Sequence, residues 1–529
     1  MKRIIISLIS VLCGIGVNAQ SLNSTVDVSN DFLTSFDFNS KSDISMCVPD
    51  SLLQFNKDFD YAVFDNPFKG SYEFSPYSVQ LKPEAGDYGV RRFYLRAGAG
   101  WQMHPVLDAV FSPEIKKNKA LKLSIYQKGG GFFGRYYDSN GNRLEDNHIN
   151  LQERFGANLH IDKESLKVRL NAAYDGIYAG EVSKPRMMHG ADVKFDLETF
   201  KSKYFAYKLD FAYKFAGLEK ENWNFANLGM SFVPKTEKAF LFPIDLKVQY
   251  ATGSYLACAA PHVRFMLGTI DITAGARFTL WSPRDKASYF RINPDVHANL
   301  NIVKAVTIHL DVEGGQNLIS ANDVLHHNPY VMNGANTYSD ETIRFNGGVK
   351  ARIGGFFEFD INGGYSILDA YPLDALSVLK LGRISMSMAY YEPFKFNMAY
   401  ADAVLSYRSE RLNADAGLHY RFTNLKGEFQ CFDLPMFSGS ARVTYNWERR
   451  IFVGIGAEFS TERAGAFIND ESRAYLPWYV DLGASAEYRI TREFGVWLRG
   501  TNLLNRMIMR TPSYIEKGIN VTGGISLNF

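Results

Sequence analysis

Any reaction chemistry in this chain would have to start from its ten histidines and its acidic loops. His326 and His327 are adjacent, with Asp323 three residues before the first of them. A carboxylate beside an imidazole can act as a general-base dyad, and Asp323 could pair with one of the two. Adjacent histidines in an extended strand point to opposite faces and share a metal poorly, and no His-Glu-x-x-His spacing occurs. A polar outer loop holds the same residues for solvation alone, and that is the stronger reading. Asp138, Asn140, Asn142, Glu145 and Asp146 place oxygen ligands at alternate positions, as calcium needs. Gly141 comes too early for a helix-loop-helix calcium loop and the distal Glu is missing, so the segment reads as a solvated hairpin tip. No enzyme, metal site or cofactor is expected.

A second set of charges suits passage or binding of a solute. It comprises Lys208, Asp210, Lys214, His309, Asp311, Glu313, Glu358, Asp360, Asp481, Glu487 and Arg489. Each lies on the polar face of a strongly alternating segment, which makes it a candidate lumen-facing residue. Such residues could select a solute by sign. More commonly they neutralise one another across a lumen or hold a segment inside it.

The elements that must position these charges follow from period two. Phe205, Tyr207, Leu209, Phe211, Tyr213 and Phe215 share one face, and Ala206, Lys208, Asp210, Ala212 and Lys214 share the other. Val306, Ile308, Leu310 and Val312 oppose His309, Asp311 and Glu313 in the same way. So do Phe357, Phe359, Ile361 and Tyr365 against Glu358 and Asp360, and Val480, Leu482 and Tyr488 against Asp481, Glu487 and Arg489. The chain ends on Ile519, Val521, Ile525, Leu527 and Phe529 facing one way, with Asn520, Thr522, Ser526 and Asn528 facing the other. Lipid accepts an aromatic face directly, and a terminal strand of this kind suits the closure of a transmembrane barrel.

Composition agrees. The chain is 46% hydrophobic with a mean hydropathy of -0.18, and past its N-terminus it has no apolar run of about 18 residues, so no helix there is expected to span a bilayer. Its 30 Tyr and 40 Phe are an excess of the residue types that favour membrane interfaces and lipid. Lys2 and Arg3, the apolar run from Ile4 to Val17 and the small residue Ala19 read as a cleaved signal peptide, residues 1–19. Leu12 before Cys13 argues against a lipoprotein. Cys47, Cys258 and Cys431 then remain, too few and too scattered for a disulfide framework. A net charge of +2 points to neither nucleic acid nor an anionic membrane surface.

Turn signals at Lys116 to Lys119, Lys163 to Ser165, Pro234 to Lys238, Ser282 to Lys286, Glu392 to Pro393 and Glu448 to Arg450 mark short periplasmic turns. Gly134 to Leu151, Gln316 to Glu341, Leu368 to Ser377 and Thr461 to Pro477 are expected as outer loops. The fold class is therefore all-β, a transmembrane antiparallel up-and-down β-barrel of about 22 strands over residues 91–529. Residues 20–90, with Pro49, Pro67, Pro76 and Pro83 and no sustained period, are expected to be irregular and to rest in the lumen or at its periplasmic mouth.

Arg499-Gly500-Thr501-Asn502-Leu503-Leu504-Asn505-Arg506, followed by Tyr514 and the strand ending in Phe529, resembles the last two strands of TonB-dependent receptors. Phe59 to Pro67 and Tyr94-Leu95-Arg96-Ala97-Gly98 resemble the start of a plug-less barrel group of that type in the Bacteroidetes. The resemblance implies an outer-membrane location, insertion by the barrel-assembly machinery and contact with outer-membrane lipid. It also implies a departure, because the family's full plug domain is well over a hundred residues long and only about seventy residues lie between the signal and Arg91. With Thr25 to Val28 as the nearest thing to an energy-coupling box, TonB coupling is doubtful. Two functions follow from the resemblance. One is transport or binding of a solute. The alternative is a structural or assembly subunit, with a surface lipoprotein or other outer-membrane subunits as partners.

Overall fold

Strands with one apolar face are stable in lipid only when the sheet they form has no open edge. The computed structural model describes residues 92–529, except 102–103, 115–119, 138–142, 164, 182–185, 200–204, 235–239, 284–286, 304, 330, 332–335, 382–383, 424–433, 468–469 and 511–517. Over these residues the chain forms a closed antiparallel barrel of 22 strands in which successive strands pair. Two additions stand outside the ring. Phe240–Leu241 pairs with the wall strand Ser254–Leu267, and the hairpin Arg463–Phe467/Asp470–Leu476 rises between Ile451–Ser460 and Tyr479–Arg489, which pair with each other.

The ring closes where Asn520–Asn528 pairs with Phe93–Gly100, Tyr94 opposite Asn528 and Gly98 opposite Gly524. The glycines at this seam are needed for space. A Cβ on Gly524 would lie 2.0 Å from the carbonyl oxygen of Ala97, and one on Gly98 would lie 2.4 Å from the Trp497 ring. The indole can therefore cross the seam, where its Nε1 donates to the Ile525 carbonyl at 3.1 Å and Arg96 stacks on its face at 4.1 Å.

Exposure alternates along the strands. Leu310 is 60% exposed between buried His309 and Asp311, and Val521, Ile525 and Phe529 are exposed while Asn520, Thr522, Ser526 and Asn528 are buried. Phe205, Tyr207, Phe211 and Tyr213 form one exposed aromatic row. Polar groups meet on the enclosed side: Lys247 and Gln249 of the strand Ile244–Ala251 both donate to Asn317, four wall strands away, at 2.9 Å. This outward apolar band on a closed barrel places the protein in the outer membrane of a Gram-negative cell. The four longest connections share one end of the barrel, and short turns such as 409–411 and 448–450 share the other; by the asymmetry of bacterial barrels these are the outer and periplasmic ends.

Several expected connections are strand instead. Glu392 and Pro393 are no turn, since the 25-residue strand Ile384–Arg408 runs through them with Pro393 opposite Pro372. Leu368 to Ser377 likewise belongs to the 25-residue strand Phe357–Leu381. Within Gly134 to Leu151 only residues 138–142 separate Leu121–Tyr137 from Arg143–Lys163. The connection after Ser282 lies at the outer end and not the periplasmic one. Above the bilayer both faces of a strand are wet, and no alternation marks its continuation. The signal peptide, residues 20–90 and the calcium-like loop at 138–142 lie outside the described residues.

Candidate functional site

The outer loop that follows the strand Val306–Ile319 carries a helix, Ala321–His327. Ser320 caps it: its backbone is extended (φ -74°, ψ 148°) and its hydroxyl accepts from the Asp323 amide at 3.1 Å. Seven residues are too few to be helical alone, so packing must hold the segment. Ala321, Val324 and Leu325 are buried in one apolar cluster with Ile177, Leu218 and Trp223 at the outer ends of the wall strands, and with Leu476 and Met509 from two other outer connections. Polar ties surround the cluster. Lys214 Nζ donates to both Asp323 oxygens at 2.6 and 2.7 Å, Asn328 Nδ2 donates to Asp374 at 3.2 Å, and Arg186 donates to the carbonyls of Pro329 and Val331.

Asp323 does not pair with either histidine as a dyad, in keeping with the reading of these residues as an ordinary polar loop. Asp323 is turned to Lys214, and His326 Nδ1 lies 2.7 Å from the carbonyl oxygen of Asn322, to which it donates. Its Nε2 is 3.8 Å from Asp175 on the wall. Burial pushes the His326 imidazole pKa down, but the Asp175 carboxylate, the Asn322 carbonyl and Asp323 outweigh it and the net shift is upward. His327 Nε2 stands 3.5 Å from Asp374.

Below the helix, charged side chains are linked from strand to strand. Arg277 donates to both oxygens of Asp295 at 2.8 and 3.0 Å and to Glu313 at 3.2 Å, and Arg344 donates to Glu313 as well. His297 lies 2.9 Å from Asp295 and 2.9 Å from Asp311, and His262 lies 2.8 Å from Asp295. A parallel group has Arg154 donating to Asp175 and to Asp192 at 2.7 Å. In a third, Arg510 contacts Glu458 at 2.6 Å and Asp481 at 2.7 Å.

The residues singled out from sequence fall into separate groups. Asp311 and Glu313 join the Arg277 network, and Lys214 holds the helix. Asp210 accepts from Asn227 at 3.3 Å, while Lys208 is exposed. His309 is buried, with its ring across Gly348. Glu358 accepts from Arg352 at 2.6 Å and Asp360 pairs with Lys350 at 3.1 Å. Glu487 accepts from Ser526 at 3.3 Å and pairs with Arg489, whose guanidinium sits over Phe452. Among the outer aromatics, Tyr371 packs edge-on against Phe396, and Trp478 is 55% exposed with Arg506 over its ring. Sequence reasoning missed Arg277, Asp295, His297 and His262. The same alternation puts Arg291, Asn293, Asp295 and His297 on one face of Tyr289–Val303, and could have found two of them.

No family model matches the sequence, and no curated protein matches it. Solved structures do. The chain is similar to FpvA of P. aeruginosa in complex with a heterologous ferric pyoverdine, at a TM-score of 0.60 and 10% identity over 83% of this chain and 72% of that one. It is similar to the FrpB iron transporter from Neisseria meningitidis (TM-score 0.59, 10% identity, 83% and 82% covered). The ferric-catecholate import receptor Fiu of K12 E. coli matches likewise (0.60, 8%, 83% and 82%). At such identities the likeness shows the fold: a 22-strand outer-membrane barrel of the kind these transport receptors use.

Proposed function

We propose that the protein binds a solute at the outer face of the outer membrane and admits it through a lumen that is closed at rest. The observation that carries this reading is the helix Ala321–His327, packed into the outer mouth and tied to the wall by Lys214. An open porin would leave that mouth clear, and a barrel of about 22 strands left empty would breach the permeability barrier. The names of the similar structures, an iron transporter and an import receptor among them, support transport over a purely structural role.

On this reading the charges from Lys208 to Arg489 line the lumen, and residues 20–90 occlude it from the periplasmic side. Planar-bilayer conductance tests the proposal. The intact protein should conduct little, and removal of Gln20 to Lys82 should raise the current. A large steady conductance in the intact protein would overturn it.

A further inference from the structure

We propose that Asp295, His297 and Glu313 form a divalent transition-metal site on the enclosed wall of the barrel. One ligand atom from each lies within 4.8 Å of the other two, and His297 Nε2 is 2.9 Å from Asp295 Oδ1. Bonds of roughly 2.1 Å put tetrahedral ligand atoms roughly 3.4 Å apart, so small rotamer shifts bring the three onto one ion. One imidazole and two carboxylates suit zinc or a neighbouring first-row ion, and are too nitrogen-rich for magnesium or calcium.

Two further observations mark a built site. Arg277 Nη2 already stands between the two carboxylates, 3.0 Å from Asp295 and 3.2 Å from Glu313, so the framework holds a positive charge where the ion would sit. Its side chain is 30% exposed, so it has room to swing aside. His262, more than nine-tenths buried, aims Nε2 at the far oxygen of Asp295 at 2.8 Å; Gly275 opposite it clears the space, since a Cβ there would lie 2.5 Å from the His262 ring. The site does not depend on what solute the barrel admits, so its failure would leave the transport reading standing.

The test is calorimetric titration of the full-length, EDTA-stripped protein with Zn2+ in detergent, with heat-modifiable migration as the check on folding. One Zn2+ per chain is expected. His297→Ala or Glu313→Gln should weaken it at least tenfold, Arg277→Gln should tighten it several-fold by removing the competing cation, and His309→Ala should leave it unchanged. A purely structural network would give no gain in Arg277→Gln. Absence of binding to the folded intact protein, or equal binding in His297→Ala, overturns the proposal. Should the variants fail to assemble, X-ray absorption of the zinc-loaded intact protein decides: imidazole with oxygen ligands supports the site, and an oxygen-only shell refutes it.

Discussion

Lys214, on the wall strand Phe205–Leu218, reaches both carboxylate oxygens of Asp323 on the helix in the outer mouth. The pair is half shielded, with 18% and 31% side-chain exposure, and a charge-assisted contact of this kind is worth about 1 to 2 kcal/mol after screening. Lys214→Met should therefore loosen the loop without unfolding the barrel. The expected readouts are faster protease cutting near residues 321–336 and more frequent conductance bursts. Unchanged cutting would mean that the apolar cluster alone holds the helix.

His326 is expected to make the hold of the helix on the wall pH-dependent. Its pKa is raised by Asp175 and the Asn322 carbonyl. A raised imidazole pKa contributes stability that is complete below the ordinary imidazole value and is lost as pH climbs through the raised one. Conductance and loop proteolysis should thus be lowest near pH 5 to 6 and increase toward alkaline pH, and His326→Gln should flatten the profile. An increase toward acid would reverse the assignment.

On the lipid face, Phe211 and Leu310 are exposed apolar residues, Phe211 between half-buried Asp210 and Ala212 and Leu310 between buried His309 and Asp311. An Arg at either position near the bilayer midplane should cost about 2 to 4 kcal/mol. Outer-membrane levels of Phe211→Arg and Leu310→Arg should fall well below those of Asp210→Arg. Equal levels would mean that the inward and outward faces have been assigned wrongly.

The seam gives the sharpest structural test. Gly524→Val has no room beside the Ala97 carbonyl and should block closure, as should deletion of Ile519 to Phe529. Val521→Leu, on the exposed face, should assemble normally. Folded Gly524→Val at wild-type levels, read by gel migration, would contradict the register.

Lipid imposes period two on whatever touches it, and for that reason the strands through Phe211, Leu310 and Val521 could be read from sequence. Glu392-Pro393 could not, because the outer halves of the two 25-residue strands stand in water and the facing prolines sit near a bulge between Leu368 and Tyr371, where a strand tolerates them. The helix did carry a signal, Ser320 with Asp323 three residues on, but the segment is less than two turns long. The charge network was half legible. Alternation gives each residue its face, yet Arg277 meets Asp295 and Glu313 only through the register of three strands, and composition does not encode that register.

The wall strands are of very unequal length, and the membrane must respond. Phe93–Gly100 and His104–Phe111 have eight residues each, as does Phe494–Thr501, against 25 in Phe357–Leu381. At roughly 3.3 Å per residue and a tilt of about 40°, eight residues rise only roughly 20 Å, short of the apolar band of about 25 Å that a barrel usually presents. Trp101, 73% exposed, stands at this low rim, at the level where indoles prefer the interface. Hydrophobic mismatch of this size predicts a bilayer locally thinned beside the seam where the first and last strands join.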